Sequence, residues 1–151
     1  MRIVLDCGHI LAIEAAQLFE GNILDIQWHR DYETGIAEID LQHRYFLSLI
    51  GRIEGEMRDT NDDVYRQRLI EELRRYAKFH FASEENIMFK LGYPRLELHC
   101  KHHIELLDKL SSRSLSNDLN SLLAFLVDWF KHHTVEEDRQ IGVFAGRLQA
   151  L

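Results

Sequence analysis

The order of apolar and polar residues predicts four long helices, because apolar side chains recur at alternating steps of three and four, the spacing of one helix face. The first stretch runs from Ile36 to about Met57. Its stripe consists of Ile39, Phe46, Ile50, Ile53 and Met57, and His43 completes it. The polar residues RDTNDD follow, in which Thr60 with Asp63 three residues later resembles a capping box that opens a second helix.

The second helix is predicted to run to Phe89 or Lys90, and a histidine and a glutamate occupy positions that its pattern reserves for the core. Its stripe consists of Leu69, Leu73, Tyr76, His80, Glu84 and Ile87. Gly92 can take the left-handed conformation after a helix, and Pro94 suits the first turn of the next one. The third helix then presents Leu96, His99, His103, Leu106 and Leu110.

A fourth helix follows the turn-forming residues SSRSLSN. The same spacing links Leu119, Leu122, Leu126, Trp129 and His133, and the pattern continues through Ile141, Phe144 and Leu148. Four amphipathic helices joined by short loops bury their stripes by packing antiparallel. The sequence therefore predicts an all-α fold, an antiparallel up-down-up-down four-helix bundle with an extra N-terminal segment.

Residues 1–27 stand apart from these stripes and are predicted to form an extension to a domain of residues 28–151. The extension contains a candidate short strand, IVL, and a candidate helix ended by Gly21 and Asn22. The apolar face of that helix comprises Leu11, Ala15, Leu18 and Phe19. The simpler interpretation is an extra helix packed on the bundle, since amphipathic helices usually bury their apolar face. The alternative is a segment for homodimerisation or regulation.

Composition and charge narrow the functions that such a bundle can have. The 151 residues are 46% apolar and contain one proline, as expected of a single helical domain. The net charge is -7 and no Lys/Arg cluster interrupts it, which argues against nucleic-acid binding. Arg2, Asp6 and Glu14 interrupt the N-terminal apolar stretch, so neither a signal peptide nor membrane insertion is expected. We expect a cytoplasmic protein, and the isolated Cys7 and Cys100 fit a reducing compartment.

The histidines give the strongest indication of chemistry. In an antiparallel bundle the first and third helices begin level with the ends of the second and fourth. This arrangement brings one set of stripe residues to the same end: His43, His80, Glu84, His99, His103 and His133. So many imidazoles and carboxylates in an apolar layer are costly to desolvate, and a metal pair compensates that cost. The remaining histidines fall outside the stripes and are predicted to face solvent: His9, His29, His102 and His132.

Spacing supports this set as ligands but leaves a seventh ligand open. Residues four apart on a helix can contact one ion from the same side, and imidazole with carboxylate suits iron, manganese or zinc. Glu137 lies four residues after His133 and would project inward directly. Asp138 lies five residues after His133, about 140° round an ideal helix. Asp138 would still reach inward if the helix widened locally or if its carboxylate approached from the flank.

Several motifs occur in order between Trp28 and Asp138: Trp28 itself, TGIAEIDLQH, HFASEENIM with GYP, HCKHH and WFKHHTVEED. Together they resemble the hemerythrin family, and in particular its bacterial single-domain branch. The resemblance implies two iron ions joined by an oxo or hydroxo bridge. It also implies the ligands of each ion: one iron held by His99, His103 and His133, the other by His43 and His80, and both bridged by Glu84 and Asp138. The H-x4-D spacing of the family thus favours Asp138 over Glu137.

The same resemblance implies reversible dioxygen binding and not enzymatic turnover. Oxygen carriage, storage and oxygen or redox sensing would share the site, and a sensor would need a fused or partner signalling domain. The alternatives are a sensor domain cut from a larger signalling protein, and a di-iron oxidase or peroxidase. Thr134 stands where the family usually has an aliphatic residue, and we hypothesise that its hydroxyl speeds autoxidation. Candidate residues of the oxygen pocket lie beside the ligands: Phe46, Phe81, Leu106, Trp129, Phe130 and Thr134.

Overall fold

Helices make up most of the computed structural model, which describes residues 27–113 and 119–150. After a 3-10 turn, Arg30–Tyr32, the helices are α1 (Ala37–Asp59), α2 (Asp63–Leu91), α3 (Leu96–Arg113) and α4 (Leu119–His133). A π-helical turn, Thr134–Asp138, joins α4 directly to α5 (Arg139–Gln149). The described residues contain no strand, and none of their helices is both long enough and apolar enough to cross a lipid bilayer. The strand and helix predicted before residue 27 lie outside these ranges.

The helices pack as neighbours that run in opposite directions. Helix α1 packs against α2 and α4, and α2 also packs against α3. The rings of His43, early in α1, and His80, late in α2, are 4.7 Å apart. His103, early in α3, and His133, at the end of α4, bring their Nε2 atoms within 3.3 Å. The predicted all-α antiparallel bundle is therefore confirmed, and its main core cluster draws on all four long helices.

The start of α2 corrects one local prediction. Asp62, and not Thr60, caps this helix, because its carboxylate accepts hydrogen bonds from the backbone N–H groups of Val64 and Tyr65. The capping box assigned to Thr60 and Asp63 is wrong. Asp62 immediately precedes the first turn and can accept hydrogen bonds from two of its free N–H groups, so it takes the capping position.

The predicted break between α2 and α3 is confirmed at Gly92, but Pro94 lies two residues before α3 begins at Leu96 and not in its first turn. Helix α2 ends at Leu91, one or two residues beyond the predicted end at Phe89 or Lys90, and Gly92 follows in the left-handed conformation at φ 67°. The backbone N–H groups of Gly92 and Tyr93 donate to the carbonyl groups of Phe89 and Met88, which closes the last turn. Glycine suits this position because it lacks the Cβ that makes a positive φ unfavourable.

The segment before α1 is tied to the bundle by hydrogen bonds and aromatic contacts. The backbone N–H and the hydroxyl of Thr34 donate to Asp40 Oδ1 at 2.7 and 2.8 Å. Tyr32 meets the ring of Phe130 edge-on, with centroids 5.6 Å apart. The guanidinium of Arg44 lies 4.3 Å from the ring centre of Trp28. These contacts bring residues 28–34 against the end of the bundle where the candidate ligands lie.

A Gly142→Ala substitution is expected to destabilise the protein by about 1–3 kcal/mol, the usual range for forcing extra atoms into a packed site. A Cβ at Gly142 would lie only 1.7 Å from the carbonyl oxygen of Thr34, so the segment before α1 would have to move. Gly146→Ala is the matched control on the same helix, because its Cβ would have no neighbour within 4 Å. Urea unfolding of both variants measures the difference. Equal stabilities would contradict the close approach of Thr34 and α5.

Candidate metal centre

The structure brings together all seven side chains that the sequence analysis proposed as ligands. They come from four helices and from the π-helical turn, and each is at most 4% exposed. The set is His43, His80, Glu84, His99, His103, His133 and Asp138. Two overlapping groups of these residues have potential ligand atoms within 4.8 Å of one another. One group contains three histidines with both carboxylates, and the other contains His43 and His80 with Glu84.

Short distances define the three-histidine group. Nε2 of His99 lies 3.2 Å from Glu84 Oε2 and 3.2 Å from Asp138 Oδ1. Nε2 of His103 lies 3.1 Å from Glu84 Oε2, and Nε2 of His133 lies 3.0 Å from Asp138 Oδ1. The three imidazoles therefore direct the same ring nitrogen to the same small volume, as ligands of one ion do.

The two carboxylates lie between the histidine groups. While Asp138 Oδ1 faces His99 and His133, its Oδ2 lies 3.3 Å from Nε2 of His43. Glu84 Oε2 faces His99 and His103, and its Oε1 lies 4.0 Å from Nε2 of His43. Each carboxylate thus offers one oxygen to each group. This is the arrangement that a carboxylate needs to bridge two cations.

Buried oxygen atoms without hydrogen bonds test whether metal ions fit this cluster. Both oxygens of Asp138 and Oε1 of Glu84 are buried and have no hydrogen-bond partner among the described residues. Histidine nitrogens lie 3.0–3.3 Å from Asp138, but none of these contacts has the geometry of a hydrogen bond. Buried carboxylates left in this way are unfavourable unless a cation compensates them. Imidazole and carboxylate donors are common ligands of divalent first-row metals, so the residues fit a pair of such ions.

The pKa values of the histidines and carboxylates in the cluster also indicate that this site favours positive charge. Burial lowers the pKa of His80 to about 4, because desolvation disfavours the imidazolium. Burial also opposes protonation of His99 and His133, but the carboxylates outweigh it and raise their pKa values to about 9 and about 10. Burial would raise the pKa values of Glu84 and Asp138, yet the neighbouring histidines lower both. The two carboxylates thus favour positive charge on the groups beside them.

A local change in helix geometry explains how Asp138 reaches the cluster. The backbone N–H of Arg139 donates to the carbonyl of Thr134, five residues earlier, so the turn Thr134–Asp138 is π-helical. The wider turn fits five residues into the arc that four would occupy, which carries Asp138 inward from the position it has on an ideal helix. Asp138 is fully buried, whereas the side chain of Glu137 is one-third exposed and lies outside the cluster. Of the two carboxylates that spacing left open, the structure places Asp138 inside.

Comparison with known proteins agrees with this geometry. The model of the hemerythrin HHE cation-binding domain matches residues 34–145, a range that contains all seven buried side chains. The chain belongs to the hemerythrin family. The bacteriohemerythrin of Clostridium acetobutylicum is 30% identical over 125 residues, which cover 75% of this chain and 95% of the relative. Bacteriohemerythrins of Pseudomonas aeruginosa and Stenotrophomonas maltophilia are 28% and 24% identical, over 74% of this chain and 75% and 76% of theirs.

Three polar side chains lie behind the histidines of this hemerythrin domain, a position that the sequence did not predict for any of them. Glu85 Oε1 lies 2.9 Å from Nδ1 of His103, and Gln42 Oε1 lies 2.9 Å from Nδ1 of His80. Glu137 Oε1 lies 3.5 Å from Nδ1 of His133. The three residues directly adjoin members of the ligand set: Gln42 precedes His43, Glu85 follows Glu84, and Glu137 precedes Asp138. That adjacency was the available signal, since a position next to an inward residue lies at the edge of the buried stripe.

The prediction that four histidines of the hemerythrin chain face solvent is confirmed for two of them. His29 and His132 are exposed, as predicted. His102 is one-third exposed and lies 2.6 Å from Glu137 Oε2 through its Nδ1, so the prediction of a solvent-facing side chain is wrong for this residue. Packing of the π-helical turn beside α3 brings Glu137 to it, which helical periodicity does not indicate. His9 lies outside the described residues.

Aromatic rings cover two of the candidate ligands of this hemerythrin domain. Phe81 stacks on His103 with centroids 3.9 Å apart, and Trp129 stacks on His133 at 4.4 Å. These two rings also meet each other edge-on at 5.7 Å. Of the proposed pocket residues, Trp129 is half-buried and the others are buried: Phe46, Phe81, Leu106, Phe130 and Thr134. The cluster is therefore enclosed mainly by apolar side chains.

Proposed function

We propose that this hemerythrin chain binds dioxygen reversibly at a non-haem, carboxylate-bridged di-iron centre. The observation that carries the proposal is the position of Glu84 and Asp138, each of which directs one oxygen to each histidine group. A single ion would need only one of these groups. Two carboxylates shared between two groups of imidazoles support a pair of ions held close together.

The two ions would have unequal numbers of protein ligands. We assign His99, His103 and His133 to one iron and His43 with His80 to the other, with Glu84 and Asp138 shared. The ion with two histidines has fewer protein ligands, which leaves it able to accept a small external molecule. When bound, the iron pair supplies two electrons, one from each ion, and this is the capacity that reversible dioxygen uptake requires.

The surrounding side chains favour binding of oxygen over its consumption. Stacking of Phe81 on His103 and of Trp129 on His133 fixes the imidazoles and covers them with apolar surface. A dry enclosure would limit the water and protons that are needed, together with the two electrons of an iron pair, to reduce oxygen to hydrogen peroxide. The chain therefore supports reversible uptake better than an oxidase or peroxidase reaction.

Cycles of oxygen exposure test the proposal directly. Metal-free protein is loaded anaerobically with ferrous iron, exposed to oxygen and then evacuated, with metal analysis and visible spectroscopy at each stage. We expect two irons per chain and an absorption band that appears with about one dioxygen per iron pair and disappears on evacuation. One zinc per chain without such a band would overturn the proposal. Steady consumption of oxygen with an added reductant would instead favour a di-iron oxidase or peroxidase.

The extent of the di-iron domain is a second part of the proposal. We infer that residues 28–151 form the iron-binding domain and that residues 1–27 are an extension to it. The family match over residues 34–145 supports this division. A chain that begins at residue 28 is expected to bind the same amount of iron as the full chain. If the full chain alone forms a dimer, residues 1–27 mediate homodimerisation instead.

Oxygen carriage, oxygen storage and oxygen or redox sensing would all use the same site, so the site does not distinguish them. A cytoplasmic location and a signalling partner stay predictions.

Replacing Thr134 by valine is expected to slow autoxidation of the oxygenated protein several-fold. Thr134 directly follows His133, is 1% exposed, and its hydroxyl has no hydrogen-bond partner among the described residues. A hydroxyl of this kind can hold a water molecule near the iron pair, whereas valine has nearly the same shape without that capacity. The decay rate of the oxygen-dependent band is the measurement. Thr134→Ser keeps the hydroxyl and is the control, and unchanged decay in both the Thr134→Val and Thr134→Ile variants would contradict the hypothesis.

A further inference from the structure

We propose that two carboxylates outside the ligand set, Glu85 and Glu137, make the three-histidine half of the centre the tighter cation site, so that two ions load in order. The proposal rests on the proposed di-metal function, because it requires that both halves of the cluster bind cations. It adds a role for residues that need not touch the metals. Their effect would pass through the imidazoles that they contact.

Carboxylates lie behind all three histidines of one half. Glu85 Oε1 is 2.9 Å from Nδ1 of His103. Glu137 lies across the other two, with Oε1 3.5 Å from Nδ1 of His133 and Oε2 4.0 Å from Nδ1 of His99. In each ring the opposite nitrogen, Nε2, faces the ligand cluster. The three imidazoles are therefore placed between the cluster and a negative charge.

In the two-histidine half, no carboxylate of the described residues contacts the outer ring nitrogen of either histidine directly. Glu38 reaches His80 only through Gln42, whose Nε2 lies 3.5 Å from Glu38 Oε1. Nδ1 of His80 faces the side-chain oxygen of Gln42, a neutral amide, at 2.9 Å. Gln42 Nε2 donates to Ser83 Oγ at 2.9 Å, which fixes the amide with its oxygen toward the histidine. Nδ1 of His43 is buried and has no hydrogen-bond partner. The two halves thus differ in charge as well as in the number of histidines.

Electrostatics predict the direction of the resulting difference in affinity. A carboxylate that accepts the Nδ1 proton of a ligand imidazole makes the other ring nitrogen a better donor to a metal. The negative charge also attracts the cation directly, although Glu85 and Glu137 are each about one-third exposed and water screens part of this effect. Loss of such an outer contact typically weakens metal binding about 10–100-fold. The three-histidine half should therefore fill first.

His102 holds Glu137 in the position that this role requires. Its Nδ1 lies 2.6 Å from Glu137 Oε2, and both side chains are one-third exposed. The contact fixes one oxygen of the carboxylate at His102 while the other lies near His133. Glu137 is therefore a positioning residue with a defined orientation. The charge, and not the shape, of its side chain is what an amide variant removes.

Stepwise titration of the metal-free, full-length protein with Co²⁺ tests the proposal, with calorimetry and visible absorption as readouts that do not depend on oxygen. The wild-type protein is expected to bind two ions in two resolved steps. Glu137→Gln and Glu85→Gln should each weaken the first step about tenfold or more and leave the second within about threefold. Glu136→Gln is the matched control, because it removes the same charge from an exposed neighbour in the same π-helical turn. It should leave both steps unchanged.

A gain-of-function variant keeps the test decisive if an amide variant folds poorly. Gln42→Glu places a carboxylate behind His80 and should strengthen the second step, which narrows the gap between the two. Binding in a single unresolved step by the wild type would overturn the ordered loading. So would a result in which Glu137→Gln and its control Glu136→Gln weaken both binding steps to the same extent. Binding of fewer than two ions by the wild type at saturation would instead overturn the di-metal centre itself, so the two failures are distinguishable.

Discussion

An Asp138→Ala variant is expected to bind fewer than two irons per chain, whereas Glu137→Ala is expected to retain two. Asp138 Oδ1 faces His99 and His133 while its Oδ2 faces His43, so its loss removes an oxygen from each half of the centre. Glu137 is one-third exposed and lies behind the histidines, where its removal weakens the affinity without removing a ligand. Among the substitutions proposed, Asp138→Ala should have the largest effect on metal content.

Metal analysis after anaerobic reconstitution measures this difference. Both variants remove one carboxylate from the same π-helical turn, so they are matched in charge and differ mainly in the direction of the side chain. Far-UV circular dichroism of each metal-free variant shows whether the bundle has formed. Two irons in Asp138→Ala would contradict its role as a ligand of both ions. A loss of iron confined to Glu137→Ala would favour Glu137, the residue four positions after His133, as the ligand.

Removal of the metal ions is expected to lower the melting temperature of the wild-type protein by about 10 °C or more. Ions that bind only the folded state stabilise it by their binding free energy, and for a chain of this size each kcal/mol shifts the melting temperature by about 2–4 °C. The metal-free cluster leaves both oxygens of Asp138 and Oε1 of Glu84 buried without hydrogen bonds. Without the cations, only the neighbouring histidines among the described residues can offset the charge of these carboxylates.

Thermal unfolding of loaded and chelator-treated protein tests this expectation. The Asp138→Ala variant is the control, because it should bind less iron and should respond less to chelation. The metal-free variant should also be less destabilised than the metal-free wild-type protein, since the substitution removes the carboxylate whose two oxygens lack hydrogen-bond partners. A melting temperature within about 2 °C for loaded and metal-free wild-type protein would contradict a role of the ions in stability.

The sequence determined the helical bundle and the level at which the histidines meet. Helical periodicity is a local property, so the stripes predicted α1 to begin and end within two residues of Ala37 and Asp59. The turn at Gly92 was equally local, because few residues other than glycine adopt its left-handed conformation. Once four such helices are antiparallel, their lengths alone bring His43 level with His80 and His103 level with His133. The family followed from the same motifs.

Competition between neighbouring polar residues limited the local predictions. Thr60 and Asp62 both have side chains able to cap α2. In the structure Asp62 is the N-cap residue, and the hydroxyl of Thr60 accepts a hydrogen bond from the backbone N–H of Asp62. Propensity does not separate such candidates, since aspartate and threonine are both good caps. The structure separates them because only Asp62 lies within hydrogen-bond distance of the free N–H groups of Val64 and Tyr65.

The positions of Asp138, Glu137 and His102 depend on how the helices pack and do not follow from the periodicity of the sequence. The direction of a side chain after His133 depends on whether the backbone forms α-helical or π-helical hydrogen bonds, and the backbone forms a π-helical turn there. The polar side chains behind the histidines lie at the edges of the stripes, where periodicity does not distinguish a solvated residue from one held by a neighbouring helix. Their partners are far apart in sequence, as with Glu137 and His102, so the contacts exist only once the helices have packed.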